Sequence, residues 1–180
     1  MIALKNIVVA TDFSEPAGAA LRYGLELARQ FEASLHVLHV VDDLAAHPST
    51  TPVWIKDLGA LQTELEVTAR TNLSALVSES DRTAARAHLQ VVVSAKPGSA
   101  ILNFARDVTA ELIVVGTHGR RGVEHLVFGS VAQHVARFAE CPVLVVRAPE
   151  RGFIVGELAR PATEAVAAEP VAQRGPNATS

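Results

Sequence analysis

Short apolar runs alternate with longer segments of helical periodicity from the N-terminus to about residue 147. The runs are rich in β-branched residues and are bounded by polar or turn-forming residues, as expected of strands covered on both faces. They are Asn6 to Ala10, Ser34 to Val41, His88 to Ser94, Leu112 to Val115 and Val143 to Arg147. The pattern therefore predicts five buried strands.

The segments between these runs carry apolar residues three and four positions apart, the spacing of a helix with one buried face. Ser14 is placed to cap the first helix, which we expect to reach about Phe31. Further helices are expected from about Lys56 to Ser78, from the Lys96-Pro97 turn onward, and from Ser130 to Ala139. Strand and helix thus alternate, which predicts a single α/β domain with a mainly parallel sheet and helices on both faces.

Two stretches interrupt this alternation. Asp42 to Trp54 contains two prolines and a Ser-Thr-Thr cluster, which predicts a long loop. After Arg147 the periodicity ends, and the remaining residues are rich in alanine and proline. We therefore expect one domain over residues 1–148 and a largely disordered tail over residues 149–180.

Composition narrows the classes of partner. The 180 residues carry a formal net charge of -3, which gives no basic surface for nucleic acid. No run approaches the roughly 20 apolar residues that a membrane span requires. The first residues lack the basic start and apolar core of a signal peptide, and Cys141 is the only cysteine, so no disulfide can form within the chain. We expect a cytoplasmic protein.

The residues between the fourth strand and the last helix are typical of a phosphate-binding site. Gly116 and Gly119 follow the strand directly, and Gly129-Ser130 stands directly before the helix. Glycine lets backbone amides approach a phosphate closely, and a helix N-terminus offers unpaired N–H groups and a positive dipole end. The alternative is that the glycines only serve tight turns, and the residues alone leave both interpretations open.

This glycine spacing resembles the G-2x-G-9x-G-(S/T) motif of ATP-binding universal stress proteins. Three further segments are similar to that family: Lys5 to Ser14, Leu38 to Asp42 and Cys141 to Arg147. The likeness runs from Ile2 to about Arg147. It implies an adenine nucleotide alpha-hydrolase-like fold with an open five-stranded parallel sheet of order 3-2-1-4-5. It also implies a homodimer formed through the last strand, Val143 to Arg147.

The resemblance also implies where ATP would bind. Asp12 would accept hydrogen bonds from the ribose hydroxyls, and Val40 would meet the adenine edge through its backbone. The other implied contacts line the nucleoside or hold the phosphates, mostly by main-chain amides: Ala10, Thr11, Val115, Gly116, His118, Gly119, Gly129, Ser130 and Val131. A magnesium ion would be held mainly by the phosphates. Ala132 lacks the hydroxyl that some members have there, a loss of one hydrogen bond or about 0.5–1.5 kcal/mol.

Enzymatic chemistry fits these residues less well. Neither the dinucleotide-binding G-x-G-x-x-G after the first strand nor a Walker A sequence is present. Asp12, His118 and Ser130 superficially suggest a hydrolase triad, but no G-x-S-x-G elbow surrounds Ser130. We therefore assign no catalytic residue.

The histidines do not predict a metal site. His36 and His39 are three apart on a strand and point to opposite faces, so they cannot share a metal ion. His134 is expected on the surface.

The sequence therefore predicts an ATP-binding regulatory stress-response protein, in which nucleotide occupancy changes a dimer or partner surface. A nucleotide-independent dimeric interaction module is the alternative, and a slow ATPase is a third. The regulatory partner and the stress that is sensed are not identified by any pattern.

Overall fold

A computed structural model describes residues 3–46, 57–117 and 129–148 of the chain. The strands are β1 (Asn6–Thr11), β2 (Ser34–Val41), β3 (His88–Val93), β4 (Leu112–Gly116) and β5 (Val143–Val146). The helices are α1 (Glu15–Phe31), α2 (Leu58–Leu76), α3 (Glu79–Ala84), α4 (Pro97–Asp107) and α5 (Ser130–Phe138), with a short 3-10 helix at Leu44–Ala46. The five predicted strands are confirmed.

All five strands form one parallel sheet of order β3-β2-β1-β4-β5, which is the predicted topology. β1 lies in the centre, with Thr11 beside His39 of β2 and Ala10 beside Val115 of β4. The direction of strand addition reverses between β1 and β4. In sheets of this kind a crevice opens outside the carboxyl ends of the strands at that reversal, and ligands bind there.

Helices cover both faces of the sheet, so the central strand is buried on each side. Ile7 and Val9 of β1 belong to the core beneath α1 and α2, and Val8 belongs to the core beneath α4 and α5. All three side chains are fully buried. This two-sided burial explains why the strands are continuous apolar runs rather than alternating ones.

The first helix begins as predicted. Ser14 is its N-cap, and the Ser14 hydroxyl accepts a hydrogen bond from the Ala17 N–H. At the other end Glu32 adopts a left-handed conformation with φ 54°, and its N–H bonds back to the carbonyls of Ala28 and Arg29. Both ends of α1 are therefore closed by capping interactions of a common kind.

Helix α3 was not predicted. Its six residues are mostly polar and carry no apolar face of helical period, which is why the pattern misses it. It begins at the Ser78 cap, whose hydroxyl accepts from the Asp81 N–H, and Asp81 also pairs with Arg29 of α1. Caps and an ion pair, rather than apolar burial, hold this helix.

Some expectations fall on other parts of the chain. The predicted loop after Asp42 includes the short 3-10 helix, and residues 47–56 lie outside the described ranges. The predicted tail, residues 149–180, also lies outside them. Among the residues that the structure describes, no helix is long and apolar enough to cross a membrane.

Candidate functional site

A cleft of about 720 Å³ opens at the carboxyl ends of the central strands. Its floor is formed by the carboxyl end of each strand and the residues that follow it: Ala10–Phe13 for β1, Leu38–Asp42 for β2 and Val115–Thr117 for β4. Helix side chains complete the walls: Leu65, Thr68, Ala69 and Asn72 from α2, Pro97 and Ile101 from α4, and Ser130, Val131 and Ala132 from α5. The volume is within the range of about 300–1,000 Å³ that is usual for small-molecule sites.

Most of the predicted contact residues line this one cleft. They are Ala10, Thr11, Asp12, Val40, Val115, Gly116, Gly129, Ser130 and Val131. His118 and Gly119 lie outside the described residues. The fold thus brings together residues from three strands and a helix, and the outermost two, Ala10 and Val131, are more than 100 positions apart in the sequence.

The turn after β1 fixes the Asp12 carboxylate at the rim of the cleft. Asp12 Oδ1 accepts from the Ser14 N–H at 3.1 Å and from the Ser14 hydroxyl at 2.5 Å. Thr11 Oγ1 accepts from the Phe13 N–H at 3.1 Å. Phe13 itself has φ 65°, a left-handed conformation that is unfavourable for a bulky residue. The turn is therefore held by side-chain hydrogen bonds against the backbone preference of Phe13.

The opposite end of the cleft is the N-terminus of α5. The Gly129 N–H donates to the Thr117 carbonyl at 2.5 Å, and the first bond within the helix runs from the Gln133 N–H to the Gly129 carbonyl. Within the described ranges, the N–H groups of Ser130, Val131 and Ala132 have no acceptor. Such groups, together with the helix dipole, favour an anion at this position.

Gly116 has a packing role as well as a place in the cleft wall. A Cβ atom at this position would lie 2.7 Å from the Pro16 carbonyl carbon and 2.9 Å from the Ala17 nitrogen. The end of β4 therefore contacts the backbone at the start of α1 directly. The glycine is required by this close approach, a role that differs from both the phosphate contact and the tight turn considered for it from the sequence.

Sequence reasoning missed the α2 wall of the cleft. Leu65, Ala69 and Asn72 share one face of α2 with Thr68 and are turned towards the cleft. The apolar part of this stripe was visible as helical periodicity, but the sequence does not say what the stripe faces. Only the packing of α2 against β2 and β3 places it beside the cleft.

The described histidines differ in how far they are buried and in what their rings contact. His39 is only 8% exposed and lies in the floor of the cleft, and His36 stacks on His88 with 5.1 Å between ring centroids. Burial and the nearby His88 lower the pKa of His36 below its usual 6.5. His134 is partly buried rather than fully exposed, because its ring packs against Phe138 and into the space left open by Gly98.

The described part of the site offers hydrogen-bonding groups and an apolar surface. Among the described residues, no group of three or more His, Cys, Asp or Glu side chains is placed to hold a metal ion. The polar groups along the floor belong to Thr11, Asp12, His39, Asp42 and Thr117, and the remaining lining is predominantly apolar. Such a cleft can bury a flat apolar ring and hold a polar group at either end.

Comparison with known proteins identifies the family. The profile of the universal stress protein family matches residues 3–147. The chain belongs to the universal stress protein family. A universal stress protein of Methanocaldococcus jannaschii is 31% identical over 154 residues, which cover 82% of this chain and 84% of that protein.

Solved structures of the family share the fold. The universal stress protein UspA from Lactobacillus plantarum is similar with a TM-score of 0.68 and 28% identity, over 82% of this chain and all of that one. The universal stress protein from Archaeoglobus fulgidus in complex with dAMP is similar with a TM-score of 0.51 and 27% identity, over 81% of this chain and 99% of that one. The nucleotide alpha-hydrolase-like fold expected from the resemblance is thus confirmed.

Proposed function

We propose that this universal stress protein binds ATP in the cleft and acts as a regulatory stress-response protein, with nucleotide occupancy modulating a dimer or partner surface. One observation carries the proposal: an apolar pocket, a fixed carboxylate and a helix N-terminus meet in a single cleft at the edge of the sheet. These are the three environments that a base, a ribose and a polyphosphate require. Binding would take place in the cytoplasm, which is part of the same proposal.

The nucleoside end is formed by β1, β2 and α2. Leu38, Val40 and Ala69 offer apolar surface for a flat purine, and the backbone of Val40 at the end of β2 is placed to pair with the base edge. Asp12 stands between this pocket and the phosphate end, where a carboxylate can accept from sugar hydroxyls. Ala10 and Thr11 complete the floor beside it.

The phosphate end is formed by β4 and α5. Val115 and Gly116 lead to the N–H groups of Ser130 and Val131, which have no acceptor within the described residues and are suited to phosphate oxygens. Ala132 is buried at the third helical position and supplies only its backbone. Magnesium, where it accompanies ATP, would take its ligands mainly from the phosphates. His118 and Gly119 remain predicted contacts.

A relative supports the ligand class. The Archaeoglobus fulgidus protein, 27% identical to this chain, has been solved in complex with dAMP, which is an adenine nucleotide. ATP rather than a monophosphate is our proposal for this chain, and it rests on the N-terminus of α5 and on the glycine motif.

A pair of variants that each introduce one negative charge tests ATP binding. Ser130→Glu places a carboxylate at the phosphate end, in the first turn of α5, where a negative charge suits the helix dipole. Gly59→Glu also adds a carboxylate to the first turn of a helix, but this helix is α2 and the position lies outside the cleft, so this variant is the matched control. Calorimetric titration with Mg-ATP should give at least tenfold weaker binding for Ser130→Glu and unchanged binding for Gly59→Glu. If the unmodified protein shows neither heat of binding nor a thermal shift with millimolar Mg-ATP, the proposal is wrong.

The last strand supports a second proposal, a homodimer through Val143 to Arg147. Within the described residues β5 pairs only with β4, and its Val143, Leu144 and Val145 side chains are only partly buried. Pairing with the same strand of a second copy would cover this edge. A monomeric mass by light scattering at micromolar concentration would contradict it. A dimer that forms equally well with and without ATP would favour a nucleotide-independent interaction module instead.

A further inference from the structure

Among the described residues that line the cleft, His39 is the most buried ionisable side chain. It is 8% exposed, and its Nδ1 lies 2.7 Å from the carbonyl oxygen of Thr11, the last residue of β1. A carbonyl oxygen can only accept, so Nδ1 carries the proton and donates. The side chain of His39 therefore caps the end of the neighbouring strand at the point where the nucleoside-side turn begins.

The same imidazole also supports the other side of that turn. The ring of His39 packs on the ring of Phe13, with 4.4 Å between centroids and 38° between the planes. Phe13 is the residue with φ 65°, and a bulky residue keeps this unfavourable conformation only when contacts with its surroundings hold it there. His39 is one of those surroundings, because it holds the residue before Asp12 by a hydrogen bond and the residue after it by ring packing.

We propose that His39 is a positioning residue for the nucleoside end of the cleft. It holds the turn from Thr11 to Ser14 in the conformation that presents the Asp12 carboxylate to the hydroxyls of a bound ribose. The ribose part of this inference rests on the proposed nucleotide binding. Because the phosphate end is built on β4 and α5, His39 acts on ribose recognition and not on phosphate binding.

The first measurement needs no ligand. In His39→Leu, amide hydrogen exchange of Phe13 and Ser14 should become at least tenfold faster, because the turn loses both supports. The Ala110 N–H, which bonds to the Ala105 carbonyl at the far end of α4, should be unchanged. His39→Asn keeps a donor near the position of Nδ1 and should restore part of the protection. Unchanged exchange at Phe13 and Ser14 in His39→Leu would overturn the inference.

The second measurement compares three ligands: Mg-ATP, its 2′,3′-dideoxy analogue and inorganic triphosphate. The unmodified protein should prefer ATP to the dideoxy analogue by about tenfold or more, a preference worth about 1.4 kcal/mol. In His39→Leu this preference should fall to within about twofold, while triphosphate binding stays the same. Equal losses for all three ligands would mean that His39 only supports the fold, and an unchanged preference would also overturn the proposal.

A third variant links the effect to the strained residue. Phe13→Gly removes the ring and makes the left-handed conformation easy to adopt. In that background His39→Leu should weaken the preference for ATP over the dideoxy analogue less than it does in the unmodified protein. If the unmodified protein binds neither ATP nor triphosphate, the proposed function and the ribose part of this inference are both wrong. The hydrogen-exchange result would then still test whether His39 holds the turn from Thr11 to Ser14.

Discussion

The contact between Gly116 and the start of α1 leads to a sharp prediction for Gly116→Ala. The new Cβ would lie 2.7 Å from the Pro16 carbonyl carbon, 2.8 Å from its oxygen and 2.9 Å from the Ala17 nitrogen. All three are backbone atoms, so no side chain can rotate away. Either β4 or the N-terminus of α1 has to move.

The size of the effect follows from these distances. Carbon atoms pack best about 3.5–4.0 Å apart, so the two backbones would have to separate by about 0.8 Å. Overpacking of this kind costs about 1–3 kcal/mol. Replacing glycine also lowers the entropy of the unfolded chain, which offsets about 0.4–1 kcal/mol where the native backbone is compatible. We therefore expect the free energy of unfolding to fall by about 1–2 kcal/mol.

Urea unfolding at equilibrium measures this loss, with Gly18→Ala as the matched control. Gly18 lies in the same helix start, but a Cβ there would meet only the end of the Arg22 side chain, at 3.9 Å. Because alanine is a better helix former than glycine, this control should gain up to about 1 kcal/mol. If Gly116→Ala is as stable as the unmodified protein, with an unchanged m-value, the close approach of β4 and α1 is wrong.

Further predictions concern the cap, the core and the pH dependence. Ser14→Ala should lower the free energy of unfolding by about 1 kcal/mol because α1 loses its cap. Leu73→Ala should lower it by about 2–5 kcal/mol because this side chain is 1% exposed in the core. Urea unfolding at equilibrium measures both losses. The lowered pKa of His36 means that the unfolded chain takes up this proton at a higher pH than the folded protein does. Stability should therefore fall as the pH drops below 6.5. His36→Gln should flatten that fall in urea midpoints taken at about pH 7.5 and pH 5, and an identical slope in the variant would contradict the assignment.

The strands and most helices can be predicted from the local pattern of apolar residues, but the order of the strands in the sheet cannot. Continuous apolar runs such as the one after Asn6 predict buried strands because both faces of β1 are covered. The strand order came from the resemblance to a family, since nothing in a single run says which strand it pairs with. Helix α3 was missed because Ser78 and Asp81 hold it by polar contacts, which leave no periodic signal.

Some residues of the candidate site could likewise be predicted from the sequence, and others could not. The place of Gly129 in the cleft could be predicted because a glycine directly before a helix is a local signal, and the place of Asp12 was implied by the resemblance to the family. Asn72 and His39 could not, because their place in the cleft depends on how α2 and β2 pack. The function of Gly116 as a packing residue depends on a distance between two backbones, and a sequence carries no such distance.

The hydrogen bond between the Gly129 N–H and the Thr117 carbonyl has a consequence for protein engineering. It brings the chain before and after residues 118–128 to a single point at the phosphate end of the cleft. For a flexible segment inserted between these two residues, doubling the length of the insert should cost only about 0.6 kcal/mol in loop-closure entropy. Segments of other lengths and chemistries could therefore be grafted between Thr117 and Gly129 at little cost in the free energy of unfolding.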